Sequence, residues 1–142
     1  MQNLSDWNII NIEYMGIIVP KTFFHYVEKS MNKRDYKPRM IDRKLEEYLN
    51  PFGAVCVEGP KWCGKTWSSS YHSNSEIMIG NPDGNFQNRQ LAEMSPALVL
   101  EGESPRLIDE WQEVPPLWDA ERYKVDQSGK KGQFILTGSA TQ

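Results

Sequence analysis

The octapeptide Gly59-Pro60-Lys61-Trp62-Cys63-Gly64-Lys65-Thr66 constrains this chain more than any other feature. It satisfies G-x-x-x-x-G-K-[ST] at every fixed position and directly follows Ala54-Val55-Cys56-Val57-Glu58, an apolar run suited to a strand buried on both faces. Each fixed residue has a physical task. Gly59 and Gly64 let the backbone wrap until successive N–H groups converge on phosphate oxygens. A helix opening near Lys65 adds its positive end. The Lys65 ammonium supplies a full charge to the β- and γ-phosphates, and the Thr66 hydroxyl is offered to Mg2+. The whole loop, with Pro60, Lys61, Trp62 and Cys63 between the glycines, is therefore the expected cradle of a nucleoside triphosphate with magnesium, ATP foremost.

Two further segments complement the loop. Leu107-Ile108-Asp109-Glu110 places a carboxylate at the end of an apolar strand, where Asp109 can hold the water shell of Mg2+ opposite Thr66. Glu110 then stands where it can orient or deprotonate an attacking water. Phe134-Ile135-Leu136-Thr137-Gly138-Ser139 is another apolar strand, ending in hydroxyls that could touch the γ-phosphate. Thr137 is the first candidate there and Ser139 the second; a plain strand-to-turn sequence is the competing reading.

The remaining text alternates helix and strand signals. Ile41, Leu45, Tyr48 and Leu49 recur at helical spacing and predict a one-faced helix, ended by Asn50-Pro51-Phe52-Gly53. A helix is expected behind the loop from about Lys65, although Trp67-Ser68-Ser69-Ser70 is poor helix material. Ile77-Met78-Ile79 reads as a strand, Asn81-Pro82-Asp83-Gly84 as a turn and Asn85 to Met94 as a helix. Arg106 to Asp109 follows as a strand, Pro115 to Val125 as a helix and Gln133 to Thr137 as a strand. This alternation implies an α/β fold with a parallel sheet and helical crossovers.

At 142 residues, 39% hydrophobic and 25% charged, the chain has the composition of one soluble globular domain. A net charge of -3 gives no global pull toward nucleic acid or anionic membrane. Lys33, Arg34, Lys37, Arg39, Arg43 and Lys44 make a local basic run, which reads as a solvated helix start before it reads as a nucleic-acid surface. Cys56 and Cys63 have no partners at metal-ligand spacing and fit reduced thiols in the cytoplasm. Cys63 reads as a small residue filling a variable loop position before it reads as a thiolate. Trp62, Trp111 and Trp118 read as packing residues before base-stacking platforms. No stretch reaches the ~18 apolar residues of a membrane span. Asn32-Lys33-Arg34-Asp35 and Asp126-Gln127-Ser128-Gly129 match guanine-nucleotide patterns, but no apolar strand precedes either, so chance explains them.

Taken together, Glu58 to Thr66, Pro105-Arg106-Leu107-Ile108-Asp109-Glu110-Trp111-Gln112 and Gly132 to Ser139 resemble the prokaryotic AAA-type ATPases that carry a C-terminal domain of unknown function. Tyr36-Lys37-Pro38-Arg39 and the helix after it are similar to that family's opening. The resemblance implies a three-layer P-loop NTPase sandwich over residues 31–142, with residues 1–30 as an N-terminal extension. It implies Lys65 and Thr66 for phosphate and metal, Asp109 for metal, Glu110 as catalytic acid, and Thr137 or Ser139 as γ-phosphate sensor. It further implies the strand order 5-1-4-3-2. Because the chain stops at Gln142, just past the fourth strand, the expectation is an incomplete sheet: a fifth strand absent, Ala54 to Glu58 at an open edge, and slow turnover without later elements. ATP binding with magnesium-dependent hydrolysis is the leading functional expectation, and a non-catalytic nucleotide-binding or interaction fragment the alternative. A protein partner or homo-oligomer would fit an open edge.

Overall fold

The computed structural model describes residues 7–11 and 35–139. Strands β1 (Trp7–Asn11), β2 (Ala54–Gly59), β3 (Ser75–Met78), β4 (Arg106–Asp109) and β5 (Phe134–Ser139) form one parallel sheet in the order β1-β2-β5-β4-β3. Helices α1 (Met40–Leu49), α2 (Lys65–Tyr71), α3 (Asp83–Met94), α4 (Pro96–Val99) and α5 (Pro116–Ser128) provide the other layers. Among the described residues no helix is long and apolar enough to cross a membrane.

The two-residue period of the strands sorts their side chains onto opposite faces. Ala54, Cys56, Ile108, Phe134 and Leu136 join one buried cluster, while Val55, Val57, Leu107 and Ile135 join another. A sheet apolar on both faces must be covered on both. Ile41 and Leu45 of α1 close one side, with Cys63 among them. Ala92, Val99, Leu117 and Val125 of α3, α4 and α5 close the other. The result is the expected α/β sandwich. With the loop-bearing strand counted first, β2-β5-β4-β3 runs in the expected order 1-4-3-2.

The open edge is the expectation that fails. β1 lies beside β2 in parallel register, from Trp7 opposite Ala54 to Asn11 opposite Glu58. A strand that precedes the core in sequence thus occupies the flank where a later fifth strand was expected, and it pairs the N–H and C=O groups that an edge would leave bare. Residues 7–11 fall within the segment set apart as an N-terminal extension; the rest of residues 1–30 lies outside the described residues.

Local departures have local causes. The strand expected at Ile77-Met78-Ile79 begins earlier, at Ser75, and hands over after Met78. The helix expected from Asn85 carries left-handed backbone at Gly84, Asn85 and Phe86 before it becomes regular. The serine-rich helix α2 forms in spite of its propensity because tertiary contacts override it: Ser68, Ser69 and Ser70 are buried, and Ser70 Oγ donates to Glu76 Oε2 at 2.5 Å.

Candidate functional site

Parallel strands bring their C-terminal ends to one rim, the usual place for ligands in open α/β sheets. Register decides which residues meet there. Gly59 lies opposite Ser139, and Asp109 lies opposite Thr137. The loop, the acidic pair and the hydroxyl-ended strand, dispersed over eighty residues of sequence, are thereby brought together.

Asp109 is the hub. Its Oδ1 accepts from the Thr66 hydroxyl at 2.6 Å and from the Thr137 hydroxyl at 2.6 Å. Thr137 Oγ1 in turn accepts the Glu110 N–H at 3.2 Å. Burial pushes the Asp109 carboxyl up to about 6; the two hydroxyl donors and Lys65 hold it down, while Glu110 pushes it up. Thr66 and Asp109 suit a hard cation that keeps much of its water. No group of three or more His, Cys, Asp or Glu side chains among the described residues could hold a metal alone. Thr66 and Asp109 are the residues that would hold a Mg2+ ion here.

The second cluster surrounds Lys65, which is buried at the base of the loop. Its ammonium donates to the Pro60 carbonyl at 3.3 Å and to Ser139 Oγ at 3.4 Å. Ser139 Oγ donates to the Glu110 carboxylate, 3.2 and 3.3 Å from its two oxygens. Gln112 Nε2 also donates to Glu110. Glu110 itself has left-handed backbone, φ 58 and ψ 46, which costs a residue with a Cβ on the order of 1–2 kcal/mol. The strain turns the chain sharply at the end of β4, so that Asp109 and Glu110 serve different partners.

The loop's own turns use positive φ at Trp62 and Gly64. Gly64 has the positive φ that favours glycine, and a Cβ there would meet only the movable tip of the Arg39 side chain. Trp111 and Trp118 pack as expected, ring centroids 4.7 Å apart against the core. Trp62 stands on the loop, more than a third exposed. Cys63 is buried in the core as a packing residue. Asn32 to Arg34 lie outside the described residues, and Asp126 sits on α5 rather than after a strand.

Sequence reasoning missed how the segment before α1 is tied to the loop. The Tyr36 ring stacks on Tyr71 of α2 with centroids 3.9 Å apart. Its hydroxyl lies 2.6 Å from Asp42 Oδ1 and 3.0 Å from Ser68 Oγ. Asp42 also accepts the Arg39 N–H at 2.6 Å and pairs with His72 Nε2 at 3.1 Å. Arg39, read as part of a solvated basic run, and Asp42 beside it are thus turned inward onto the helix that follows the loop. The one local hint was an acid three residues into a helix, placed to reach back to the capping backbone. Gln112 was missed as well, since nothing in its neighbours points it at Glu110.

Residues 51–142, more than half of the chain, match the sequence profile of the family described as "AAA domain". The "Long chronological lifespan protein 2" of Candida tropicalis is 34% identical over 55 residues, which cover 39% of this chain and 37% of that protein. The match thus spans little more than a third of that curated relative's length. No solved structure matches. With the loop, the acids and the parallel sheet in their places and the profile running from the start of β2's approach to the end, the chain belongs to the AAA domain family.

Proposed function

We propose that this chain binds ATP with Mg2+ at Gly59 to Thr66 and hydrolyses its terminal phosphate, as a relative of the prokaryotic AAA-type ATPases with an additional C-terminal domain. Membership of the AAA domain family carries the coarse reading, a nucleotide-binding, ATPase-like protein. The observation that supports the finer one is convergence: Thr66 and Thr137 donate to a single oxygen of Asp109, beside a Lys65–Ser139–Glu110 chain. A merely structural strand end has no use for a lysine, two acids and three hydroxyls in one connected network.

The roles follow from the contacts. Backbone amides of the loop between Gly59 and Gly64 embrace phosphate oxygens, and Lys65 leaves its weak carbonyl contact for the phosphates. Thr66 and Asp109 hold the cation, which neutralises charge on the phosphates when bound. Thr137 is a positioning residue, since it orients Asp109 and binds the Glu110 backbone. Glu110 orients or deprotonates the attacking water. Ser139, linked to both Lys65 and Glu110, is the better placed of the two hydroxyls to sense the γ-phosphate.

Calorimetry on the purified chain tests binding: MgATP should give saturable heat that Lys65→Ala abolishes, and ATP should displace a fluorescent nucleotide better than GTP. Glu110→Gln tests chemistry. It should retain bound ATP while phosphate release falls about a hundredfold or more. Binding unaffected by Lys65→Ala in a folded protein would overturn the assignment, and an unchanged ATP residence time in Glu110→Gln would favour a non-catalytic binder.

A further inference from the structure

We infer that Arg39 is a second cation for the nucleotide's phosphates, reaching the loop from the segment before α1. The inference rests on the nucleotide-binding reading above and adds a residue to it. Arg39 precedes residue 51, where the family match begins, and lies twenty-five residues before Gly64. Its guanidinium nevertheless stands against the loop, at the face of Gly64 where a side chain would be.

Its present bonding is poor for so strong a donor. A guanidinium carries five N–H groups. The contact found for it is one of 3.4 Å to the Gly64 carbonyl, an oxygen already accepting the Ser68 N–H at 3.2 Å. Among the described residues no carboxylate lies within ion-pair distance of it. A half-buried cation left unneutralised beside a loop built for anions is what a phosphate contact requires before its ligand arrives.

The approach is also held in place. Asp42 accepts the Arg39 backbone N–H at 2.6 Å and is itself bound by Tyr36 and His72, while Tyr36 stacks on α2. The main chain at Arg39 is thereby fastened to the far end of α2, and its side chain runs back to the near end at Gly64. A contact needed only to close the carbonyl would not call for this anchoring, because Ser68 already satisfies that oxygen. A phosphate in the loop would replace one long bond to an uncharged carbonyl by a bond between opposite charges.

The test is calorimetric titration of the whole chain with MgADP and MgATP, in wild type, Arg39→Gln and Arg39→Ala, at two salt concentrations. Glutamine keeps a polar, hydrogen-bonding side chain but no charge. Both variants should bind about tenfold or more weakly, with a shallower salt dependence, while the apo thermal midpoint of Arg39→Gln stays near that of wild type. Arg39→Gln binding within about twofold of wild type would overturn the inference. So would a loss of affinity that only tracks a loss of apo stability across the two variants. Wild type that binds neither nucleotide would overturn the nucleotide-binding reading itself, an outcome separable from failure at Arg39 alone.

Discussion

Two carboxylates are buried among the described residues, and their surroundings could hardly differ more. Asp109 ends β4 at the rim of the sheet, with two hydroxyls donating to one of its oxygens. Glu121 lies in the middle of α5, fully buried, and among the described residues neither of its oxygens has a hydrogen-bond partner. Burial raises both. Asp109 reaches only about 6, because donors compensate for lost water, whereas Glu121 reaches about 9, with Arg122 pulling it down and Asp126 pushing it up. Burial alone therefore does not mark a functional acid. What separates the two is a set of donors that favours the charged form, and only Asp109 has one.

Charge removal should separate the two most widely. Asp109→Asn should cut magnesium-dependent phosphate release about a hundredfold or more, while Glu121→Gln should leave it within about twofold. Equal losses would mean that Glu121 serves the reaction, and the contrast would collapse.

Stability should move the other way. Glu121→Met replaces an unsatisfied buried carboxyl by an apolar side chain of similar length, and should raise the urea unfolding free energy by about 1–3 kcal/mol. A decrease would reveal a partner for Glu121 that matters to the fold.

The pH dependence follows from the directions of the shifts. Each acid is raised in the folded state, so each favours folding fully below its unfolded value and loses that contribution as pH rises through the folded one. For Glu121 the window runs from the ordinary 4.5 to about 9, and for metal-free Asp109 from 3.8 to about 6. Denaturation at several pH values should show stability falling by at most about 1.4 kcal/mol per unit for each acid. Glu121→Gln should flatten the profile above pH 6, make it shallower between 4.5 and 6 where both acids contribute, and leave it unchanged only below 4.5. A wild-type profile already flat between pH 6 and 9 would refute the shift at Glu121.

The smallest effect is expected at Thr137. Thr137→Val removes one donor from Asp109, so its carboxyl should rise further, by up to about one pH unit. The pH at which Mg2+-dependent nucleotide binding is half lost should move upward accordingly. No movement would indicate that Thr66 alone keeps Asp109 ionised.

Much of the site could be read from the sequence because its chemistry is local. The octapeptide carries its glycines, lysine and threonine at fixed spacing, and Arg106 to Asp109 is an apolar strand ending in the required acid, with bounds that the structure repeats. Gly84 and Asn85 are residues that tolerate the left-handed region, but its extension to Phe86 was not legible, since a bulky aromatic residue gives no local sign of positive φ. Nor was Glu121 legible as a buried group; at its position a charged residue reads as the solvent side of a helix.

Sequence alone determined the loop, the two acids, the hydroxyl-ended strand and the alternation that makes a parallel sheet, because each depends on residues adjacent in the chain or on a short period. Tertiary structure decided which of these meet, in what protonation state, and beside what else. The Asp42–His72 pair, the position of Arg39 at Gly64 and the pairing of β1 with β2 join residues tens of positions apart. Such contacts arise from the packing of layers and the register of strands, and no short stretch of sequence contains them.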